Sequence, residues 1–172
     1  MKKLILFFVM ICSLGAFAQT PDDRGYIVKV GDAAPDFSMK LTDGKTVRIS
    51  ELKGKVIMLQ FTASWCSVCR KEMPFIESDI WQKHKTNPNF ALLAIDRDEP
   101  IETVLKFVES AKITYPVGLD PKAGIFALYA QREAGITRNV IIDETGKIVM
   151  LTRLYNVEEF RKMTQVIDKL LK

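Results

Sequence analysis

The sequence predicts an α/β protein, a central sheet covered on both faces by helices, with one antiparallel hairpin at the front and another near the end. Two apolar runs of strand length, Val56-Ile57-Met58-Leu59-Gln60-Phe61 and Phe90 to Ile95, suit strands buried on both faces. Each is followed by apolar residues at helical spacing: Met73, Ile76, Ile80 and Trp81 after the first, then Ile101, Val104, Leu105 and Val108. The end of the chain changes character. Val140 to Asp143, a turn at Glu144-Thr145-Gly146, and Lys147 to Leu154 read as an antiparallel hairpin, and a helix with Phe160, Met163, Val166, Ile167 and Leu170 on its apolar side closes the fold.

The first eighteen residues read as an export signal. Lys2 and Lys3 supply charge, Leu4 to Ile11 are continuously apolar, and Ala16-Phe17-Ala18 is a small-x-small cleavage site, so the mature chain is expected to begin near Gln19. The stretch is shorter than the roughly 20 apolar residues a spanning helix needs, which predicts export without a lasting transmembrane anchor. Cys12 lies in the apolar region, but Met10 and Ile11 before it have the wrong shape for a lipid-attachment signal. Removal of eighteen residues leaves 154 of 172, the size of one domain. Residues 19–29 then form a lead-in and residues 30–172 the domain. The formal charge of +4 falls to +2 without Lys2 and Lys3, and no basic run is present, so nothing points to nucleic acid.

Within the domain, Tyr26-Val30 and Asp36-Leu41 are β-prone, and Thr46-Ile49 follows Asp43-Gly44, a strong hairpin dipeptide. The first helix is expected to begin inside the cysteine motif and run to about His84, kinked at Pro74. The next helix covers Pro100 to Ala111. Val117 to Leu119 suits a short strand, and Pro121 in a first turn opens a helix over Ala123 to Ala130.

Cysteine usage carries the functional argument. Loss of the signal removes Cys12 and leaves Cys66 and Cys69, two residues apart, with no other partner for either. A bridge closing so short a loop removes little chain entropy, so the pair is better suited to react than to staple. A strand ending at Phe61 and a helix starting near Cys66 put the first sulfur at a helix N-terminus, where unpaired N–H groups favour negative charge. A cysteine pKa of about 8.5 falls to roughly 3.5–7.5 in such places, which makes Cys66 the attacking thiolate. Cys69, one turn inward, is placed to resolve the mixed disulfide. Zinc is the competing use of such a pair, but it needs about four ligands, and the chain offers only His84 besides. A static disulfide on a binding module is a further alternative.

Trp65-Cys66-Ser67-Val68-Cys69-Arg70-Lys71-Glu72-Met73-Pro74 resembles the WCxxC-x-x-E-x-P segment of the membrane-associated periplasmic thioredoxin-like reductases, the group of the cytochrome c maturation, ResA and TlpA-type proteins. The similarity runs from about Val30 to Leu171 and includes the GDxAPDF-like start at Gly31 to Phe37. It implies a thioredoxin fold with an N-terminal β-hairpin and an extra β-α unit near Phe90 to Ala111. It also implies a reductant of exported protein disulfides, recharged by a membrane electron donor, with no cofactor beyond the redox-active pair.

By position, the resemblance makes Trp65 a cover beside the first sulfur and Glu72 an acid beneath the pair that tunes the thiols and moves protons. Two departures stand out. Gln60 occupies the position of the thioredoxins' buried aspartate, and Thr137 that of the family's cis-proline. A non-proline cis bond costs about 2.5–4 kcal/mol, so the peptide before Thr137 is expected to be trans. Thr137 is then expected to offer backbone hydrogen bonds to a substrate strand, and Arg138 to favour an acidic substrate or the thiolate. Peroxiredoxins, relatives of this fold, carry an arginine near this point, which makes a thiol peroxidase the alternative activity. Its Pro-x-x-x-Thr/Ser-x-x-Cys run is not matched, since Thr62 stands one residue out of place and Ala63 sits three before Cys66.

Overall fold

Asp43-Gly44 turns the chain as expected: β1 (Ser38–Leu41) and β2 (Thr46–Arg48) pair antiparallel across it, with Gly44 at a φ of 88° that favours glycine. The computed structural model describes residues 24–172, so the expected signal and its cleavage site lie outside the described residues. β3 (Val56–Thr62) follows, and all seven of its residues are buried. Burial of side chains such as Leu59 and Phe61 stabilises the fold by roughly 1.5–3 kcal/mol each.

α1 (Ser67–Phe75) starts inside the cysteine motif, widens into a π-helical stretch at Ile76–Trp81 and ends in a last α turn, α2 (Gln82–His84). Pro74 has no N–H to give to the carbonyl of Arg70, and the widened stretch begins two residues after it. β4 (Phe90–Arg97), α3 (Ile101–Ala111), β5 (Val117–Asp120), β6 (Arg138–Ile142), β7 (Ile148–Arg153) and α4 (Val157–Leu170) complete the chain.

The strands form one sheet in the order β2-β1-β5-β4-β3-β6-β7. β3, β4 and β5 are parallel, while β1, β6 and β7 join antiparallel. This is the thioredoxin-like α/β plan, with hairpins at both edges. Period-2 alternation divides the buried residues between two layers. Ile57, Leu59 and Phe61 face one, with Tyr26, Phe126 and Tyr129. Val56 and Met58 face the other, with Met73, Ile80, Phe107 and Met163. Among the described residues no helix is long and apolar enough to cross a membrane.

Two expected elements differ. Tyr26-Val30 makes no strand, only a single bridge between Tyr26 and Ala130, and the Tyr26 ring is buried with its hydroxyl donating to the carbonyl of Thr152 at 2.6 Å. The helix expected over Ala123 to Ala130 is instead two 3-10 turns, Pro121–Ala123 and Phe126–Leu128. Lys122 and Ala123 take left-handed φ values of 64° and 51°, and the buried Asp120 carboxylate accepts the N–H groups of Ile125 and Phe126, each at 2.8 Å. A side chain that captures these N–H groups offers the backbone an alternative to a continuous helix.

Candidate active site

β3 hands the chain to a four-residue loop, Ala63 to Cys66, that is clamped from several sides. The Ser64 N–H and hydroxyl both donate to the Glu99 carboxylate at 2.5 Å, the Arg70 guanidinium donates to the Ser64 carbonyl at 2.9 Å, and the Cys66 N–H donates to the Ala63 carbonyl at 3.1 Å. Cys66 is thereby the N-cap of α1, and its Sγ accepts the Cys69 N–H at 3.1 Å. Cys66 and Cys69 are joined as a disulfide, their Cα atoms 5.3 Å apart. Cys69 is fully buried, whereas Cys66 keeps 7% exposure and opens onto a groove of about 240 Å³ lined by Trp65, Val68, Ile136, Thr137 and Leu154. An incoming sulfur can reach Cys66 through that groove, and Cys69 lies behind it.

Because β6 runs antiparallel to β3, with Arg138 opposite Phe61, the residue before β6 faces the loop after β3. That residue is Thr137. Its hydroxyl lies 3.2 Å from Cys66 Sγ and 3.4 Å from Cys69 Sγ, and its carbonyl accepts the Leu154 N–H at 3.1 Å. Among the described residues no peptide is cis, so the bond before Thr137 is trans.

Glu72 follows Cys69 by three residues on the buried face of α1 and is 2% exposed. Its Oε1 accepts the Asn139 Nδ2 at 2.7 Å, and its Oε2 makes no hydrogen bond among the described residues. Burial pushes its carboxyl up to about 7, against the opposing pull of the Asn139 hydrogen bond. At neutral pH both protonation states are populated, which suits a group that takes and returns protons. Gln60, in the aspartate's place, accepts the Tyr115 hydroxyl at 2.8 Å.

The remaining expected residues divide. Trp65 stands at the rim of the groove, 63% exposed. Arg138 does not reach the sulfurs: alternation along β6 turns it to the opposite face from Asn139, where it is 1% exposed. Its guanidinium donates to the carbonyls of Arg24 at 2.6 Å and Gly135 at 3.1 Å and lies 4.4 Å over the Tyr26 ring. That burial corrects the expectation of an arginine offered to substrate or thiolate, and with it the analogy to a peroxidase arginine. His84 pairs with Asp168 at 2.8 Å, on the far end of the helical run.

Sequence reasoning missed Asn139, Glu99 and the groove residues Ile136 and Leu154. A polar residue at an inward position of a buried strand was the available signal for Asn139. Nothing local marks Glu99, which meets Ser64 across 35 residues.

Comparison with known proteins gives a consistent result. A family model described as Redoxin matches residues 29–167. The chain is 33% identical over 132 residues to the thiol-disulfide oxidoreductase ResA of Oceanobacillus iheyensis, covering 74% of this chain and 68% of that protein. A solution structure of a candidate protein disulfide isomerase from Bacteroides thetaiotaomicron is 67% identical, with a TM-score of 0.84 over 86% of this chain and 92% of that one. A crystal structure of a candidate thiol:disulfide interchange protein DsbE from Chlorobium tepidum is 28% identical, with a TM-score of 0.74 over 84% and 99%.

Proposed function

The chain belongs to the redoxin family and is a thiol-disulfide oxidoreductase of the ResA and TlpA type, and from that premise we propose that it works after export as a reductant of other exported proteins. Cys66 attacks and Cys69 resolves. The observation that carries this assignment is the asymmetry of the pair: Cys66 Sγ caps α1 and opens onto the groove, while Cys69 is buried behind it.

The reductive cycle starts from the dithiol. The Cys66 thiolate, held by the Cys69 N–H, attacks a substrate disulfide, forms a mixed disulfide and expels one substrate thiolate. Cys69 then loses its proton, attacks Cys66 Sγ and expels the second thiolate, which closes the Cys66–Cys69 bond. Glu72, on the same helix face as Cys69, is the proton acceptor of that step. A carboxylate there also disfavours a thiolate by like-charge repulsion, and a less stable dithiolate makes the pair more reducing. Trp65 covers the substrate at the groove, and Thr137 lines it from the other side. Electrons return from a membrane donor, and no cofactor beyond the pair takes part. Export itself rests on the signal-like first eighteen residues.

Replacement of Cys69 by serine tests the roles directly. In cell extracts the variant is expected to hold partner proteins on Cys66 through bonds that dithiothreitol releases, while wild-type protein speeds insulin reduction by dithiothreitol. A pair that never opens in glutathione buffers, with a potential far below about −300 mV, would mark a static bond and end this assignment.

A further inference from the structure

Thr137 contributes more than backbone to the site. Its hydroxyl lies within hydrogen-bond distance of both sulfurs, 3.2 Å from Cys66 and 3.4 Å from Cys69, and it must be the donor because neither disulfide sulfur carries a hydrogen. The contact is held from two directions. β6 begins at the next residue in register with β3, and the Leu154 N–H fixes the Thr137 carbonyl at 3.1 Å. A β-branched side chain has few χ1 choices, and at 3% exposure water does not compete for the hydroxyl.

Disulfide exchange moves a full negative charge between these two atoms. When an electron donor's thiolate attacks Cys66, the donor–Cys66 bond forms, the Cys66–Cys69 bond breaks, and its electron pair leaves on Cys69 Sγ. When the reduced protein attacks a substrate, the pair comes from Cys66 Sγ. Cys69 must then become a thiolate again to resolve the mixed disulfide, its proton passing to Glu72. The Cys69 N–H stabilises charge on Cys66. For Cys69 Sγ, Thr137 supplies the one hydrogen bond found among the described residues.

We infer that Thr137 is a catalytic residue of the exchange, its hydroxyl donating to whichever of the two sulfurs carries the negative charge and acting chiefly on Cys69. The inference rests on the exchange assignment and deepens it. Where the resemblance supplies a proline, which has no donor to give, this chain has a group that follows the charge from one sulfur to the other.

The test uses reduced mature protein and dithiobis-nitrobenzoate, a disulfide that releases one coloured thiolate when Cys66 attacks and a second when Cys69 resolves. Charge-assisted hydrogen bonds are about twice as strong as neutral ones, so Thr137→Val and Thr137→Ala are expected to slow the second release about tenfold or more. The first release slows less, by roughly threefold, because Cys66 keeps its backbone donor. Thr137→Ser restores the second release to within about threefold of wild type. Equal rates in wild type and the apolar variants would overturn the role, as would a serine variant as slow as valine. One folded apolar variant suffices, and unfolding of both would assign Thr137 to the core and also overturn it. A wild-type protein that gives no two-step release would instead overturn the exchange assignment itself.

Discussion

Arg138 and Asn139 are neighbours on β6, and the two environments they enter are opposites. Arg138 carries a permanent charge into an aromatic layer, where the carbonyls of Arg24 and Gly135 and the rings of Tyr26 and Phe126 surround it. Asn139 enters the layer beneath α1, where it bridges the Glu72 carboxyl and the Thr152 hydroxyl, at 2.7 and 3.0 Å. An arginine cannot lose its proton in a protein, so a buried one can only position and stabilise. A glutamate raised to about 7 changes charge at working pH. The same strand thus supports a fixed charge on one face and a titrating one on the other, and the titrating group stands on α1, three residues after Cys69.

Substitutions in the two environments are expected to do different kinds of damage. Arg138→Ala is expected to cost the most stability, about 3–4 kcal/mol in urea unfolding, through lost packing and unpaired carbonyls. The folded fraction should exchange disulfides at wild-type rate, and a selective loss of rate would give Arg138 a place in the chemistry after all.

Glu72→Gln should instead change the pH dependence. The Glu72 pKa is raised from 4.5 to about 7 on folding, so the native state binds more protons than the unfolded chain between those values. The stability this group contributes is fully present below about 4.5 and is lost as pH rises through 7. Glutamine does not titrate, so the variant gains about 3 kcal/mol relative to wild type between pH 4.5 and 8, at about 1.36 kcal/mol per unit. Asp96, which burial pushes up to about 8, loses stability in the same sense but in both proteins, so it cancels from the difference. A flat difference across that range would show that Glu72 is not raised.

Smaller effects follow at Asn139 and Trp65. Asn139→Ala removes the donor that favours the charged form, so the Glu72 pKa should rise further, seen as an upward move of the pH midpoint for the second thiolate release, with a loss of roughly 1–2 kcal/mol in stability. Trp65→Ala should change stability by less than about 0.5 kcal/mol, as expected of an exposed side chain. It should slow reduction of insulin severalfold while leaving the small aromatic disulfide unaffected.

The parts legible in the sequence were those set by local pattern. The buried strand before Cys66, the helix start at the pair and the Asp43-Gly44 hairpin follow from hydrophobic runs, capping geometry and turn chemistry. The segment between β5 and β6 was not legible, because the Asp120 carboxylate intercepts the N–H groups a helix would have used. Arg138 and Asn139 show a second limit. Period-2 alternation requires them to point oppositely, but which one faces α1 depends on the register with β3, set by residues some 80 positions earlier. Thr137 was legible as the residue in the proline's place. Its hydroxyl contact with both sulfurs is a product of tertiary register.

The proposed mechanism makes Cys66 the ready nucleophile through its place as the N-cap of α1. Its most direct test is alkylation of the reduced protein with limiting iodoacetamide across pH, followed by peptide mapping. Cys66 is expected to be labelled first, with a midpoint in the range of roughly 3.5–7.5 found for helix N-terminal thiolates. Labelling of Cys69 first, or a Cys66 midpoint at or above the free-thiol value of about 8.5, would contradict it.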